Sequence, residues 1–436
     1  MGEGNSRIIM KNIKIISYAL TIALLCGCAG ISVEENSDKI TNKEELEAAL
    51  DEAWEKYVTE ESQNETRLSE IDNRAMDYGD VTMKYGIQVK GEPDENGYPV
   101  FIALHGGGGS DTPDINDQQW AAMATYYGTS VKNGIYVNPR GVRDTWNCHF
   151  NDESYILYDE LIENLILFYN ADPNRVYIMG YSAGGDGVYG ITPRMPDRFA
   201  AANMSAGHPN GLDLTNIFNV PIALQVGIND SDYDRNTVTA QYGMYLDELA
   251  ADFGEDYYKH VTWVHTGYAH NFIDYKNSEQ EVIDDYALWL ETGEVTTTKV
   301  DTNAVHFVEQ YTRNPYPEQI VWDLSNRAPL RDNNCYYWLR ADSSIQEGNI
   351  RGSYSKESNT ISFETIDISE DADFDILISP EMVDVFSEIT FILPEGEVKI
   401  TLDNISKDTI WESTIERGDK NYQYVAVVSY RELISQ

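Results

Sequence analysis

The chain has 436 residues and a formal charge of −42, and 42% of it is apolar, with 30 Tyr and 8 Trp. That length suits two or three domains, and the aromatic content excludes wholesale disorder. A surface this negative repels phosphate backbones, so nucleic acid is excluded as a partner, and the acidity reads as a solubility device for an exported protein.

At the N-terminus, Lys11 and Lys14 precede an apolar run from Ile15 to Leu25. The run is too short to span a bilayer and has the length of a signal-peptide core. Met10 offers an alternative start. The run ends in Leu25-Cys26-Gly27-Cys28, which resembles a bacterial lipobox, with Cys26 where a small residue is usual. The resemblance implies removal of residues 1–27 and lipid linkage at Cys28, at the bacterial cell surface, with the membrane reached only through that anchor; plain secretion is the alternative. Cys148 and Cys335 remain; no Cys/His metal spacing accompanies them, and no cofactor is expected.

Residues 28–75 read as a tether and an N-terminal helix. Within 42–64, Leu46, Leu50, Trp54 and Val58 recur at helical spacing, Thr41 and Glu44 suggest a capping box, and the helix is expected to pack on the next domain. From about residue 76 to 295 short apolar runs (Val100–Leu104, Gly134–Val137, Val176–Met179, Ala200–Met204, Ile222–Val226, Val261–Val264) alternate with helical stretches, clearest at Glu153–Tyr169 and Glu279–Leu290. This pattern predicts a mainly parallel, doubly wound α/β sheet with its site at the carboxyl ends of the strands. Residues 296–436 carry short alternating runs and turns, and predict a C-terminal all-β domain, a sandwich.

The chemistry centres on Gly180-Tyr181-Ser182-Ala183-Gly184-Gly185, directly after the strand Val176–Met179. Glycines around the serine allow a sharp strand-to-helix turn that lifts the hydroxyl out of the sheet. His105-Gly106-Gly107-Gly108-Gly109 follows an earlier strand, where glycines let backbone N–H groups approach a developing oxyanion. Ala183, next after the serine, would supply another donor. A serine nucleophile needs a base. Among seven histidines, His270 lies just past the strand ending near Val264. His265 sits at that strand's end and is the weaker candidate, while His260 lies at the wrong edge. The orienting acid should follow the preceding strand, and Asp230 is three residues past Gly227, with Asp232 in reserve. The Asp230-x-Asp232-x-Asp234 spacing hints at calcium, but Arg235 and Gln241 replace the glycine and glutamate that an EF-hand loop needs.

The order Ser…Asp…His, the His-Gly-Gly-Gly loop and the elbow together resemble the α/β-hydrolase superfamily. Residues 79–293 are similar to secreted esterases related to polyhydroxybutyrate depolymerases, feruloyl esterases and acetylxylan esterases. Asp172-Pro173-Asn174-Arg175-Val176-Tyr177-Ile178-Met179-Gly180-Tyr181-Ser182-Ala183-Gly184-Gly185 carries most of the likeness. It implies a triad of Ser182, Asp230 and His270, and an oxyanion hole from Gly106, Gly107 and Ala183. Only about 13 residues separate the strand ending near Gly207 from the one starting near Pro221, too few for a large cap, which suits a bulky or polymeric ester. Trp146, His149 and His208 are candidates for lining the cleft, with Trp146 able to stack on a sugar or aromatic acyl group; a packed loop tryptophan would carry the same signature. The reading is a serine esterase acting on acetyl- or feruloyl-type esters of an exported polymer or polysaccharide. The alternatives are a serine peptidase of prolyl-oligopeptidase type, disfavoured because no propeller-sized domain precedes the hydrolase, and a non-catalytic glycan-binding lipoprotein.

Overall fold

The computed structural model describes residues 39–109, 113–271, 279–328, 330–331, 334–342 and 344–435. The signal-peptide and Cys28 expectations lie outside them.

The N-terminal segment forms α1 (Lys43–Glu61) and α2 (Glu65–Asn73). The cap of α1 is one residue later than expected. The Asn42 side chain accepts from the N–H of Glu45, and Glu45 in turn accepts from the backbone N–H and hydroxyl of Thr41. The buried face of α1 is Leu46, Ala49, Ala53 and Tyr57. Leu46, Ala49 and Ala53 join the core of the C-terminal β region, while Tyr57, at the other end of the face, lies near Glu163 and Arg198 of the domain that follows in sequence.

A ten-stranded sheet follows: β1 (Ala75–Tyr78), β2 (Val81–Lys90), β3 (Tyr98–Leu104), β4 (Gly134–Pro139), β5 (Ala171–Tyr181), β6 (Ala201–Ser205), β7 (Ile222–Gly227), β8 (His260–His265), β9 (Glu279–Ile283) and β10 (Thr297–Asp301). Its order is β1-β2-β4-β3-β5-β6-β7-β8-β9-β10. The six strands from β4 to β8 in that order are parallel, and two antiparallel strands flank them on each side. Central strands such as β4 and β7 are buried along their whole length, as a sheet covered on both faces requires. One face is covered by α4 (Asp152–Tyr169), α5 (Ala183–Ile191) and α6 (Arg235–Phe253), around Leu157, Leu161, Val188 and Leu246. The other is covered by α3 (Pro113–Tyr126) and by Ala304–Val308, around Met123, Ala304, Val305 and Val308.

The stretch Glu279–Leu290 is not one helix. Glu279–Ile283 is β9, and only Tyr286–Thr292 is helical. Gln280, Val282 and Ile283 are buried because β9 pairs with β10, so the sheet continues beyond residue 295.

The C-terminal region holds two further sheets. Gln319–Asp323, Asn349–Ser355, Thr360–Asp367, Ile389–Leu393 and Gly396–Ile400 form one, and Cys335–Tyr336, Leu339–Ala341, Phe374–Ile378 and Ala426–Ser429 the other. Ile350, Phe363 and Phe391 from the first and Leu339, Ile376 and Val428 from the second meet in one core. Residues 296–436, expected to be all β, also carry the helices Ala304–Val308, Lys407–Arg417 and Tyr430–Ile434. Cys148 and Cys335 do not pair; both are buried thiols, and burial pushes Cys148 up to about 12 and Cys335 to about 11.

Candidate active site

The sheet register brings the sequence motifs together. Leu104, at the end of β3, lies opposite Gly180 in β5, so His105-Gly106-Gly107 emerges beside Ser182. Ser182 itself has φ 57° and ψ −121°, a conformation that L-residues rarely adopt and that strained functional turns retain. Side chains are excluded on both sides of it. A β-carbon on Gly180 would fall 2.0 Å from the Gly184 carbonyl, and one on Gly184 would fall 2.1 Å from that of Leu104. Glycine at both positions is what lets the chain turn from strand into α5 here. Ala183 is the first residue of α5, where N–H groups lack intrahelical acceptors and the helix dipole is positive.

Gly227 in β7 pairs with His265 in β8, and the loops beyond them are laced by backbone bonds: Ile228 N–H to His265 O at 2.9 Å and Asn229 N–H to Tyr268 O at 2.8 Å. These loops carry Asp230 and His270. His270 Nε2 stands 2.9 Å from Ser182 Oγ, and His270 Nδ1 stands 2.8 Å from Asp230 Oδ2. A carboxylate can only accept, so Nδ1 carries a proton and Nε2 is left to accept from the serine hydroxyl. Asp230 is 2% exposed, with its other oxygen 3.7 Å from Arg235 Nη1. Asp232 is exposed and takes no part. His265 is buried against Gln225, its Nε2 2.9 Å from Oε1, and burial lowers it to about 4. His260 lies at the start of β8, beside Asp247. The arrangement can deprotonate Ser182 for attack on a carbonyl.

Gly106 flanks the nucleophile: a β-carbon there would lie 3.3 Å from that of Ser182. Gly107 and Gly108 have φ of 108° and 90°, and the Gly108 N–H is already taken by Asn116 Oδ1 at 2.7 Å. Trp146 is 57% exposed and its backbone abuts Gly108, placing it at the rim of the glycine loop. His208 follows β6 at the same edge, its N–H bonded to Asp186 Oδ1 and its Nδ1 accepting from Asn210 N–H. His149 does not line the cleft. It is fully buried behind the loop, with Nε2 2.9 Å from the His105 carbonyl and Nδ1 3.3 Å from the Tyr158 hydroxyl. A glycine on α5, Gly187, leaves room for its ring.

Three residues missed in the sequence support the site. Asn116 grips Gly108 N–H, Gly109 O and Asp144. Tyr181 donates its hydroxyl to the His270 carbonyl and lays its ring against the imidazole, centroids 5.4 Å apart. Arg235 stands beside the acid. A lone Asn on a helix carries no sequence signal, whereas Tyr181, inside the elbow motif, could have been singled out.

The strand order and the strand-to-helix turn at Ser182 are those of the α/β-hydrolase fold. Neither a family model nor a curated protein matches the chain. Among solved structures, a thermostable esterase overlaps 56% of this chain and 64% of its own, less than two thirds of its length, at 21% identity and a TM-score of 0.35. A poly(3-hydroxybutyrate) depolymerase from Bordetella parapertussis overlaps 52% of this chain and 88% of its own, at 17% identity and a TM-score of 0.33. A ferulic acid esterase overlaps 48% and 90%, at 15% identity and a TM-score of 0.30. Overlaps this loose carry nothing about activity, which has to be read from the site.

Proposed function

We propose that the protein is a serine-dependent carboxylic ester hydrolase working through an acyl-enzyme. The observation that carries this reading is the pair of hydrogen bonds linking Ser182 Oγ to His270 and His270 to the buried Asp230. His270 takes the proton of Ser182 as Oγ attacks the ester carbonyl, and Asp230 holds the imidazole and its developing charge. Backbone N–H groups of the Gly106–Gly107 segment and of Ala183 receive the oxyanion. The intermediate collapses with the alcohol leaving on the proton held by His270, and water activated by the same imidazole releases the acid.

For the substrate we infer an acetyl or feruloyl-type ester on an exported polymer or glycan. The 57% exposed Trp146 beside the oxyanion loop supports a flat group bound there. The β6–β7 connection, which could have carried a cap, runs back to the C-terminal region, where Asn216 bonds to Asp323 O. Lipid linkage at Cys28 belongs to the same reading, and a Cys28→Ala chain that stays equally membrane-bound would end it. A glycan-binding role for residues 296–436 gains no support. Their tryptophans and tyrosines are buried or half-buried among the described residues, leaving no flat aromatic platform.

The test is hydrolysis of 4-nitrophenyl acetate by residues 29–436 and by Ser182→Ala. Activity lost in the variant, at unchanged melting temperature, is expected. A folded wild-type protein without activity would refute the reading.

A further inference from the structure

Two buried histidines stand behind the oxyanion loop rather than in the cleft. The His105 ring spans its own loop and the next: Nε2 accepts the Gly141 N–H at 3.0 Å, so Nδ1 carries the proton and donates to the Gly106 carbonyl at 2.6 Å. His149 sits edge-on to this ring, centroids 4.5 Å apart. The His105 carbonyl can only accept, so His149 Nε2 carries the proton and donates at 2.9 Å, leaving Nδ1 to accept from Tyr158. Burial holds both rings neutral, lowering His105 to about 4 and His149 well below its ordinary value. Each ring thus engages one carbonyl of two consecutive peptide groups.

In a trans peptide the carbonyl and the following N–H point in opposite directions. A ring that fixes the Gly106 carbonyl behind the loop turns the Gly107 N–H the other way, and fixing the His105 carbonyl does the same for Gly106 N–H. The side left facing outward is the Ser182 side, since Gly106 lies against the nucleophile's β-carbon. Without such fixtures a run of four glycines could rotate these peptides freely, and donors aimed only on average stabilise a transition state less.

We propose that His149, acting through the His105 carbonyl, and His105, acting through the Gly106 carbonyl, are positioning residues that aim the oxyanion donors before substrate binds. This rests on the esterase reading above. Neither imidazole touches substrate or exchanges a proton in the reaction.

The experiment compares His149→Gln with His149→Asn. The glutamine amide reaches the place of Nε2 and can donate to the His105 carbonyl, while the asparagine amide reaches only the place of Nδ1. We expect His149→Asn to lose about 10- to 100-fold in kcat on 4-nitrophenyl acetate, with KM within about two-fold. Affinity for a trifluoromethyl ketone, whose adduct with Ser182 carries the oxyanion, should fall by the same factor. His149→Gln should retain both. His105→Asn, which still donates to the Gly106 carbonyl, against His105→Ala, which does not, gives the same reading if position 149 tolerates no change. Equal kcat and equal inhibitor affinity within each pair would overturn the proposal while leaving the esterase reading intact. A folded wild type that neither hydrolyses the ester nor binds the ketone would overturn both.

Discussion

The two ends of the parallel sheet are held by different forces. At the carboxyl end, the elbow, the glycine loop and the loops carrying Asp230 and His270 are tied by backbone bonds and by contacts that only glycine permits. At the amino end, where the C-terminal region abuts, the ties are buried charges. Asp197 receives Arg331 at 2.9 Å and Arg417 at 3.2 Å, and Asp159 receives Arg331 at 2.6 Å. Backbone lacing fixes geometry while leaving Ser182 and His270 open to substrate. Buried ion pairs fix one half of the chain to the other and tolerate no loss of a partner. The difference teaches that geometry and cohesion are built at opposite edges, so a change at one should leave the other's observable alone.

The sharpest break is at the acid. Asp230→Asn would put a donor against His270 Nδ1 and favour the wrong tautomer, and kcat should fall by about 10⁴-fold. The melting temperature should move by only a few degrees, and Asp232→Asn should be near wild type in both. A large effect of Asp232→Asn would overthrow the assignment of the acid.

The opposite signature is expected at the seam. Asp197→Asn leaves Arg331 and Arg417 short of a charge in a fully buried place, at a cost of about 3–5 kcal/mol. For a chain of this size that is a melting shift of about 3–6 °C, while kcat of the folded protein stays unchanged. Burial by itself would raise the Asp197 carboxyl, but Arg331 and Arg417 outweigh it and hold it at about 2. Its folded value lies below the ordinary 3.8, so its contribution is complete above about pH 4 and disappears as pH falls through about 2. The gap between variant and wild type should therefore hold from pH 8 to about 5. Loss of kcat in a folded Asp197→Asn would show that the two edges communicate.

A smaller effect separates charge from packing on α4. Burial first, then the neighbouring Glu70, raises Glu160 to about 7, while Glu70 also accepts from Asn164 at 2.8 Å. A carboxyl raised in the fold above its ordinary 4.5 favours the folded state only while protonated, and that support is lost as pH rises through 7. Glu160→Gln, which keeps the protonated shape, should raise the melting temperature at pH 8 and leave it almost unchanged at pH 5. An equal shift at both pH values would mean that packing, not charge, is at work.

The parts of this design that depend on neighbours in sequence were legible in the chain. The elbow, the glycine loop and the spacing of Asp230 after Gly227 are local signatures, and each places its residue where β3, β5 and β7 end. What depended on distant partners was misread. Glu279–Leu290 has helical spacing, yet its first half is a strand because β10 offers an edge. The face of α1 was expected to meet the adjacent domain, but Leu46, Ala49 and Ala53 find their partners more than 260 residues away. His149, three residues from Trp146, looked like cleft lining; its burial follows from the space that Gly187 leaves on α5. The charges of the seam carried no signal at all, because an arginine destined for a buried partner looks like any surface arginine until the fold is known.

The lacing of the acid and base loops also bears on how such a protein can change its diet. Ile228, Asn229, His265 and Tyr268 are joined through main-chain atoms, which almost any substitution preserves. Trp146 sits on another loop at the same edge, and the 77% exposed Tyr233, although on the acid loop, makes none of those four residues' main-chain bonds. On the esterase reading, descendants could therefore exchange these rim residues, and with them the ester preferred, while inheriting Ser182, Asp230 and His270 unchanged. Innovation is cheap at the rim, whereas the glycines at 180 and 184 can accept none.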